Sequence, residues 1–125
     1  MKKVISTKQA PAAIGPYSQA IETGNMLFVS GQIPVNPQTG ELAGDDVKSQ
    51  TRQVFENIRA ILSEAGYEMN NIVKTTVFLA DMALFADMNE VYASQFESDF
   101  PARSTIAVKG LPKGALVEIE SIAIK

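Results

Sequence analysis

The chain ends in a predicted strand that reads Leu116-Val117-Glu118-Ile119-Glu120-Ser121-Ile122-Ala123-Ile124. Successive side chains of a strand point to opposite faces of the sheet. The apolar residues divide into Val117, Ile119 and Ala123 on one face and Leu116, Ile122 and Ile124 on the other. Both faces of this strand are therefore apolar. The two carboxylates, Glu118 and Glu120, lie on the second face.

The length of the chain predicts one domain that spans 1–125. Asp45 to Ala65 is the clearest helix, because Asp45 or Asp46 can cap it, Gly66 follows it and apolar residues recur at helical spacing. Asp81 caps a second helix. One face of that helix carries Phe85, Met88, Tyr92 and Phe96. The predicted strands are 2–6, Ser18–Glu22, Met26–Ser30, Ile72–Leu79, 103–108 and 116–124.

This order predicts an α+β fold, a six-stranded mixed sheet with two helices on one face. The strand at 72–79 is also apolar on both faces, which divide into Val73, Val77 and Leu79 against Ile72 and Phe78. Two helices can cover only one face of the sheet. Another copy of the chain is the simplest cover for the second face, so we expect a homo-oligomer whose sheets pack together.

Composition excludes several classes of function. The net charge is -3, from 14 acidic and 11 basic residues, and no basic run indicates nucleic-acid binding. The absence of cysteine and histidine removes disulfides, thiolate catalysis, Ser-His-Asp triads and most transition-metal sites. No apolar run is long enough to span a membrane. We expect a cytoplasmic protein that needs no metal.

The segment Pro101-Ala102-Arg103-Ser104-Thr105-Ile106 places a guanidinium at the start of an apolar strand. Arginine grips carboxylates or phosphates with two parallel hydrogen bonds, although a structural ion pair with an acidic residue is an equally ordinary use. Glu118 can act as a general base, and a salt bridge at an interface is the alternative for either glutamate. An active site is therefore expected between the strands that carry Arg103 and Glu118.

Four other positions are weaker candidates when each is considered alone. Ser30 lies at a strand end, where the adjacent Gly31 lets a ligand approach its backbone N–H. Tyr17, which follows Gly-Pro, is more often a packing residue. Asn89 lies among helix residues, where simple exposure to solvent would also explain it.

Over nearly its whole length, the chain resembles the reactive intermediate deaminase family (RidA, also called L-PSP). The resemblance rests on residues 10–19, Ser30-Gly31-Gln32-Ile33-Pro34, Lys74-Thr75-Thr76-Val77-Phe78, Pro101-Ala102-Arg103-Ser104 and Val117-Glu118-Ile119-Glu120. It implies a chorismate-mutase-like fold assembled as a homotrimer, with ligand sites in the clefts between subunits.

The implied activity is hydrolysis of 2-imino acids, such as 2-iminobutanoate and 2-iminopropanoate, to 2-keto acids and ammonia without a cofactor. Arg103 would hold the substrate carboxylate with help from Ser30 and the Gly31 N–H, and Glu118 would activate the attacking water. The Thr105 carbonyl would help to hold that water, while Tyr17 and Asn89 would line the pocket. Many members have cysteine at the position of Thr105, so thiol-dependent regulation is not expected here.

Three alternatives remain open. The same cleft in a non-catalytic regulator would bind a keto acid or an amino acid. An RNA-directed activity is disfavoured by the charge and by the lack of histidine. A purely structural trimer would leave Arg103 and Glu118 without a role.

Overall fold

The structure is a computed structural model that describes residues 1–125, and it contains six β-strands and two α-helices. In chain order they are β1 (Lys2–Ile5), β2 (Ala20–Thr23), β3 (Met26–Gln32), α1 (Val47–Ala65), β4 (Ile72–Leu79), α2 (Phe85–Ser94), β5 (Ala102–Ala107) and β6 (Val117–Ile124). Short 3-10 turns lie at Met69–Asn71, Met82–Leu84 and Pro112–Gly114. The predicted α+β order is confirmed.

All six strands form one mixed sheet with the order β1-β2-β3-β6-β4-β5. Neighbouring strands are antiparallel except β4 and β5, which are parallel and are connected through α2. A parallel pair needs such a crossover, whereas antiparallel strands can be joined by a tight turn. As a result, β4 separates β5, which carries Arg103, from β6, which carries Glu118.

The ends of α1 are fixed by its own sequence. The side chain of Asp46 accepts a hydrogen bond from the backbone N–H of Ser49 at 2.9 Å, so Asp46 is the cap and α1 begins at Val47. Gly66 ends the helix at φ 80°, a left-handed conformation that glycine adopts without a steric penalty. The predicted apolar stripe is buried against the sheet at Val54, Ile58, Ile61 and Leu62.

The second helix begins later than predicted. Asp81 caps the 3-10 turn Met82–Leu84 by accepting from the Ala83 N–H at 2.8 Å, and α2 starts only at Phe85. Phe96 lies beyond the end of α2 but still packs edge-on against Phe55, with ring centroids 5.9 Å apart. Phe96 therefore packs with the aromatic residues of the core, although it was predicted on α2 and the helix ends before it.

Both helices cover the same face of the sheet. The core between them contains 20 buried residues and includes Val117, Ile119 and Ala123 of β6, as the alternation predicts. Leu116 was expected on the opposite face but is half-buried against this core. It precedes β6, and its N–H donates to Gln50 Oε1 at 2.8 Å, so strand alternation does not apply to it.

One pair in β4 is also reversed relative to the prediction. Ile72 is 4% exposed and belongs to the core, whereas Val73 is 43% exposed. The pairing register between β4 and β6 shifts between Ile72 and Lys74. An irregularity of this kind breaks the two-residue alternation, which explains why the start of β4 departs from the predicted faces.

The face of the sheet opposite the helices has no covering element. An apolar row crosses it, because Val4, Ile21, Phe28 and Ile122 are paired in register on four adjacent strands. Val4 and Phe28 are exposed and the other two are half-buried. We call this surface the open face. The homotrimer predicted to cover it stays a prediction. Neither helix has the length and apolar character needed to cross a lipid bilayer.

Candidate functional site

Arg103 lies on the edge strand β5 and points toward the helix-covered face. It is paired in register with Thr75 of β4, which is fully buried in the core. Residues paired across neighbouring strands project to the same face of a sheet. Arg103 thus emerges at the sheet edge beside α2 rather than over the open face.

The guanidinium of Arg103 is held by one hydrogen bond and two aromatic rings. Its Nη1 donates to Oδ1 of Asn89 at 2.8 Å. The guanidinium carbon lies 4.6 Å from the ring centroid of Tyr92 and 5.4 Å from that of Phe85. Exposure to solvent is therefore not the explanation for Asn89. Its side chain orients Arg103.

No acidic side chain of the chain forms an ion pair with Arg103. The ion pairs are Lys48 with Glu90 and Lys125 with Glu22. The structural ion pair that the sequence analysis considered for Arg103 is therefore absent within one chain. The remaining guanidinium donors stay available for a ligand that carries negative charge.

A cavity of about 430 Å³ opens beside this guanidinium. Its lining residues are Asn89, Tyr92, Ala93, Phe100, Pro101 and Arg103. A larger cavity of about 650 Å³ lies between the end of α2 and the turn at 69–71, and it contains none of the predicted site residues. The smaller cavity is the better candidate, because a positive charge and an apolar wall meet there.

The second set of predicted residues is organised by a bulge in β3. Val29 is paired with Ser121 and Gln32 with Ile119, so Ser30 and Gly31 together oppose the single residue Glu120. Bulges of this kind re-aim side chains and are frequent beside active sites. The Ser30 hydroxyl donates to the Ser18 carbonyl at 2.6 Å, which ties the loop after β1 to this point.

Glu118 lies directly over Gly31. A Cβ atom at position 31 would overlap Oε2 of Glu118, so glycine is required for the carboxylate to lie there. Burial raises the pKa of Glu118 above its usual value of 4.5, and the negative charge of Glu120 raises it further. Both effects favour the protonated form, which moves this carboxyl toward the range useful to a general base.

The two remaining predicted residues, Tyr17 and Thr105, lie close in sequence to residues around Ser30 and Arg103, respectively. Tyr17 is 53% exposed and lies one residue before Ser18, whose carbonyl binds Ser30. Thr105 follows Arg103 by two residues on the same face, opposite Val77. Its hydroxyl is buried and has no hydrogen-bond partner.

The predicted residues therefore fall into two half-sites on opposite faces of the sheet. The arginine half-site contains Arg103, Asn89 and Thr105 on the helix-covered side. The glutamate half-site contains Glu118, Ser30 and Gly31 on the open face, where Glu118 is paired with Phe78. The sequence analysis placed an active site between the strands that carry Arg103 and Glu118. Within one chain β4 lies between β5 and β6, so the two side chains do not meet there.

The sequence prediction missed the aromatic support of Arg103. Phe85 and Tyr92 were assigned only to the packing face of the second helix. A signal was available, since Asn89 lies four residues after Phe85 and three before Tyr92, and side chains at these spacings are neighbours on a helix. Any partner of Asn89 would then also contact the two rings.

Comparison with known proteins gives consistent matches over all or nearly all of the chain. The family model described as Endoribonuclease L-PSP matches residues 7–125. A RutC family protein of Pyrococcus horikoshii is 58% identical over 125 residues, covering 100% of this chain and 99% of that protein. A 2-iminobutanoate/2-iminopropanoate deaminase of Escherichia coli is 50% identical over 128 residues, with 100% and 99% covered. A solved structure of a Rid family protein from Yersinia pestis has a TM-score of 0.97 and 54% identity, covering 100% of both chains.

Proposed function

The chain belongs to the Rid family, whose family model is described as Endoribonuclease L-PSP, and on this basis we propose that it is a 2-imino acid deaminase. Its substrates are 2-iminobutanoate and 2-iminopropanoate, which pyridoxal-phosphate enzymes release as enamine or imine intermediates. The 50% identity to the deaminase of Escherichia coli supports this choice of substrate.

The observation that carries the proposal is the unpaired guanidinium of Arg103. A half-buried positive charge without a carboxylate partner is unfavourable unless a ligand supplies the negative charge. Every 2-imino acid has a carboxylate next to the reacting carbon. Arg103 binds this carboxylate, and Asn89 holds the guanidinium in position through Nη1. The backbone N–H of Gly31 assists on the opposite side of the substrate.

Glu118 activates the attacking water in this mechanism. Water adds to the carbon of the C=N bond while Glu118 accepts its proton, and the proton then passes to the nitrogen. In the resulting carbinolamine, Glu118 takes the hydroxyl proton and passes it to the nitrogen, the C=O bond forms as the C–N bond breaks, and ammonia leaves the 2-keto acid. The Thr105 carbonyl helps to hold the water, and Tyr17 and Ser30 line the pocket. General-base assistance contributes a factor of about 10²–10⁴, which suffices for an electrophile that also hydrolyses slowly alone.

The two half-sites combine only when two copies of the chain meet. The arginine half-site lacks a negative charge. The glutamate half-site contains Glu118, whose pKa is raised by burial and by the neighbouring charge of Glu120. We infer that a homotrimer covers the open face and brings Arg103 of one copy opposite Glu118 of the next. This assembly explains how residues on opposite faces of one sheet can serve one reaction.

The test generates 2-iminobutanoate with a threonine dehydratase and follows keto-acid release in competition with semicarbazide. The wild type should accelerate release, and Arg103→Ala and Glu118→Gln should not. Arg52→Ala is the matched control, because Arg52 is an exposed arginine of α1 outside both half-sites. Acceleration by Arg103→Ala equal to that of the wild type would contradict the proposal. Binding of 2-oxobutanoate without turnover by the wild type would instead support the regulator.

An RNA-directed activity is not favoured, despite the description of the family model. The chain has a net charge of -3 and no histidine. Binding to nucleic acid draws on positive charge that contacts phosphates, and its strength falls as salt rises. Absence of RNA binding even at low salt would dispose of this alternative.

A further inference from the structure

We propose that Tyr92 is a positioning residue whose ring fixes the Arg103 guanidinium for the substrate carboxylate, with Thr75 fixing the ring. This inference rests on the proposed function. Tyr92 supports Arg103 from the buried side of the guanidinium. Tyr92 is 3% exposed and lies on α2, and its ring centroid is 4.6 Å from the guanidinium carbon.

One rung of the sheet links the two residues. Thr75 of β4 is paired in register with Arg103 of β5. The hydroxyl of Thr75 is also 2.7 Å from the phenol oxygen of Tyr92, in a buried hydrogen bond. Thr75 is therefore paired with the backbone of Arg103 and also hydrogen-bonded to Tyr92. The same residue thus fixes both the base of the arginine side chain and the ring that supports its guanidinium.

An aromatic ring suits this task better than a carboxylate. A carboxylate would hold the guanidinium by occupying its donors and neutralising its charge. The face of a ring attracts the cation and leaves the N–H groups free at the guanidinium edge. Asn89 occupies one donor only, at Nη1. Tyr92 thus holds Arg103 in place while keeping it able to bind a carboxylate.

The aromatic neighbours of Tyr92 provide a matched control. Tyr92 packs against Phe55 and Phe96, with ring centroids 5.5 and 5.3 Å apart. Of the three rings, only Tyr92 contacts Arg103. Phe96→Leu therefore disturbs the same aromatic cluster without removing the support of the guanidinium.

The experiment compares Tyr92→Leu, Tyr92→Phe and Phe96→Leu with the wild type. It measures KM and kcat for 2-iminobutanoate, and the Kd of 2-oxobutanoate by calorimetry. Loss of the ring in Tyr92→Leu should raise KM and Kd by about tenfold, a free-energy change within the range of a desolvated cation–π contact. The change in kcat should stay below about threefold, since the contact exists before and during the reaction. Tyr92→Phe keeps the ring and loses only its hydrogen bond to Thr75, so its KM should rise by no more than about threefold.

Circular dichroism first establishes which variants fold, and NMR of the Arg103 side chain gives a readout that is independent of turnover. The Arg103 Nε–H proton should show a larger ring-current shift in the wild type and in Tyr92→Phe than in Tyr92→Leu, which keeps only the more distant Phe85 ring beside Arg103. Should Tyr92→Leu not fold, absence of a ring-current shift at the Arg103 Nε–H proton of the wild type overturns the proposal. An unchanged KM and Kd in folded Tyr92→Leu, or an equal loss of binding in Phe96→Leu, also overturns it. A wild type that binds 2-oxobutanoate but hydrolyses no imine contradicts the deaminase alone, and the Kd values then decide the role of Tyr92.

Discussion

At the scale of single residues, Gly31 and Glu118 share one small volume above the bulge in β3. Oε2 of Glu118 occupies the place that a side chain at position 31 would fill. The carboxylate is flexible at its end, whereas the Gly31 backbone is fixed in the sheet. A side chain at position 31 would therefore move the carboxylate and leave the strand in place.

Gly31→Ala should abolish most of the activity with little change in stability. The new methyl group displaces the Glu118 carboxylate, so kcat should fall by about 10²–10⁴-fold. The free energy of unfolding should change by less than about 1 kcal/mol, because a side-chain rotation relieves the overlap. Gly110→Ala is the control, since nothing lies within 4 Å of a Cβ at that position. A fully active Gly31→Ala would show that the position of Glu118 is not required.

Glu120→Gln should move the acid limb of the pH–rate profile to lower pH. Glu118 must be ionised to accept a proton, so activity is lost as the pH falls through its pKa. Burial raises that pKa, and the charge of Glu120 raises it further. Removing the charge removes only the second effect, so the pKa falls toward 4.5 but stays above it. The measurement is kcat against pH, with the exposed Glu41→Gln as control, and a limb that stays or moves upward contradicts the assignment of Glu118 as the base.

The sequence pointed to candidate chemical groups, but not to their arrangement in the fold. Arg103 and Glu118 stand out because charges in apolar strands need a use or a partner. Their placement on opposite faces depends on the registers in which β5 and β6 pair with β4, and no local pattern encodes those registers. The Tyr92–Thr75 contact joins a helix to a strand 17 residues away, so it also depends on the crossover between β4 and β5.

At the scale of secondary-structure elements, local signals explain α1 and fail at the bulges. Asp46, Gly66 and the apolar stripe of α1 act within a few residues of the chain, so the sequence predicts them directly. The irregularities at Val29/Gln32 and Ile72/Lys74 arise from pairing with β6, a strand far away in sequence. The prediction of faces was accordingly correct for most of β6 and wrong at Ile72 and Val73.

Gly66→Ala should destabilise the protein without reducing its activity. Gly66 ends α1 at φ 80°, which costs a residue with a Cβ about 1 kcal/mol. Urea unfolding at one fixed protein concentration should show the loss, because an oligomer's apparent stability depends on concentration. Gly66→Asn should lose less, since asparagine tolerates the left-handed conformation. Equal stability of Gly66→Ala and the wild type would mean that α1 ends differently in solution.

At the scale of the whole molecule, the fold gives one chain two incomplete half-sites and an uncovered apolar row. The half-sites lie on opposite faces of the sheet, so no side-chain rotation within the chain can unite them. A second copy can cover the open face and bring its own Arg103 to Glu118 in the same contact. Assembly and catalysis then depend on the same surface, and a monomer should be inactive.

Mixing two inactive variants should restore activity if each site takes Arg103 from one copy and Glu118 from another. Arg103→Ala keeps its glutamate half-site, and Glu118→Gln keeps its arginine half-site. After the two are unfolded and refolded together in equal amounts, about one quarter of the sites should pair an intact arginine with an intact glutamate. This fraction is the same for a dimer or a trimer, because each site samples two copies independently. Imine hydrolysis should therefore reach about a quarter of the wild-type rate, while each variant refolded alone stays at background. If the site were complete within one chain, every chain in the mixture would carry a defect and the mixture would stay inactive.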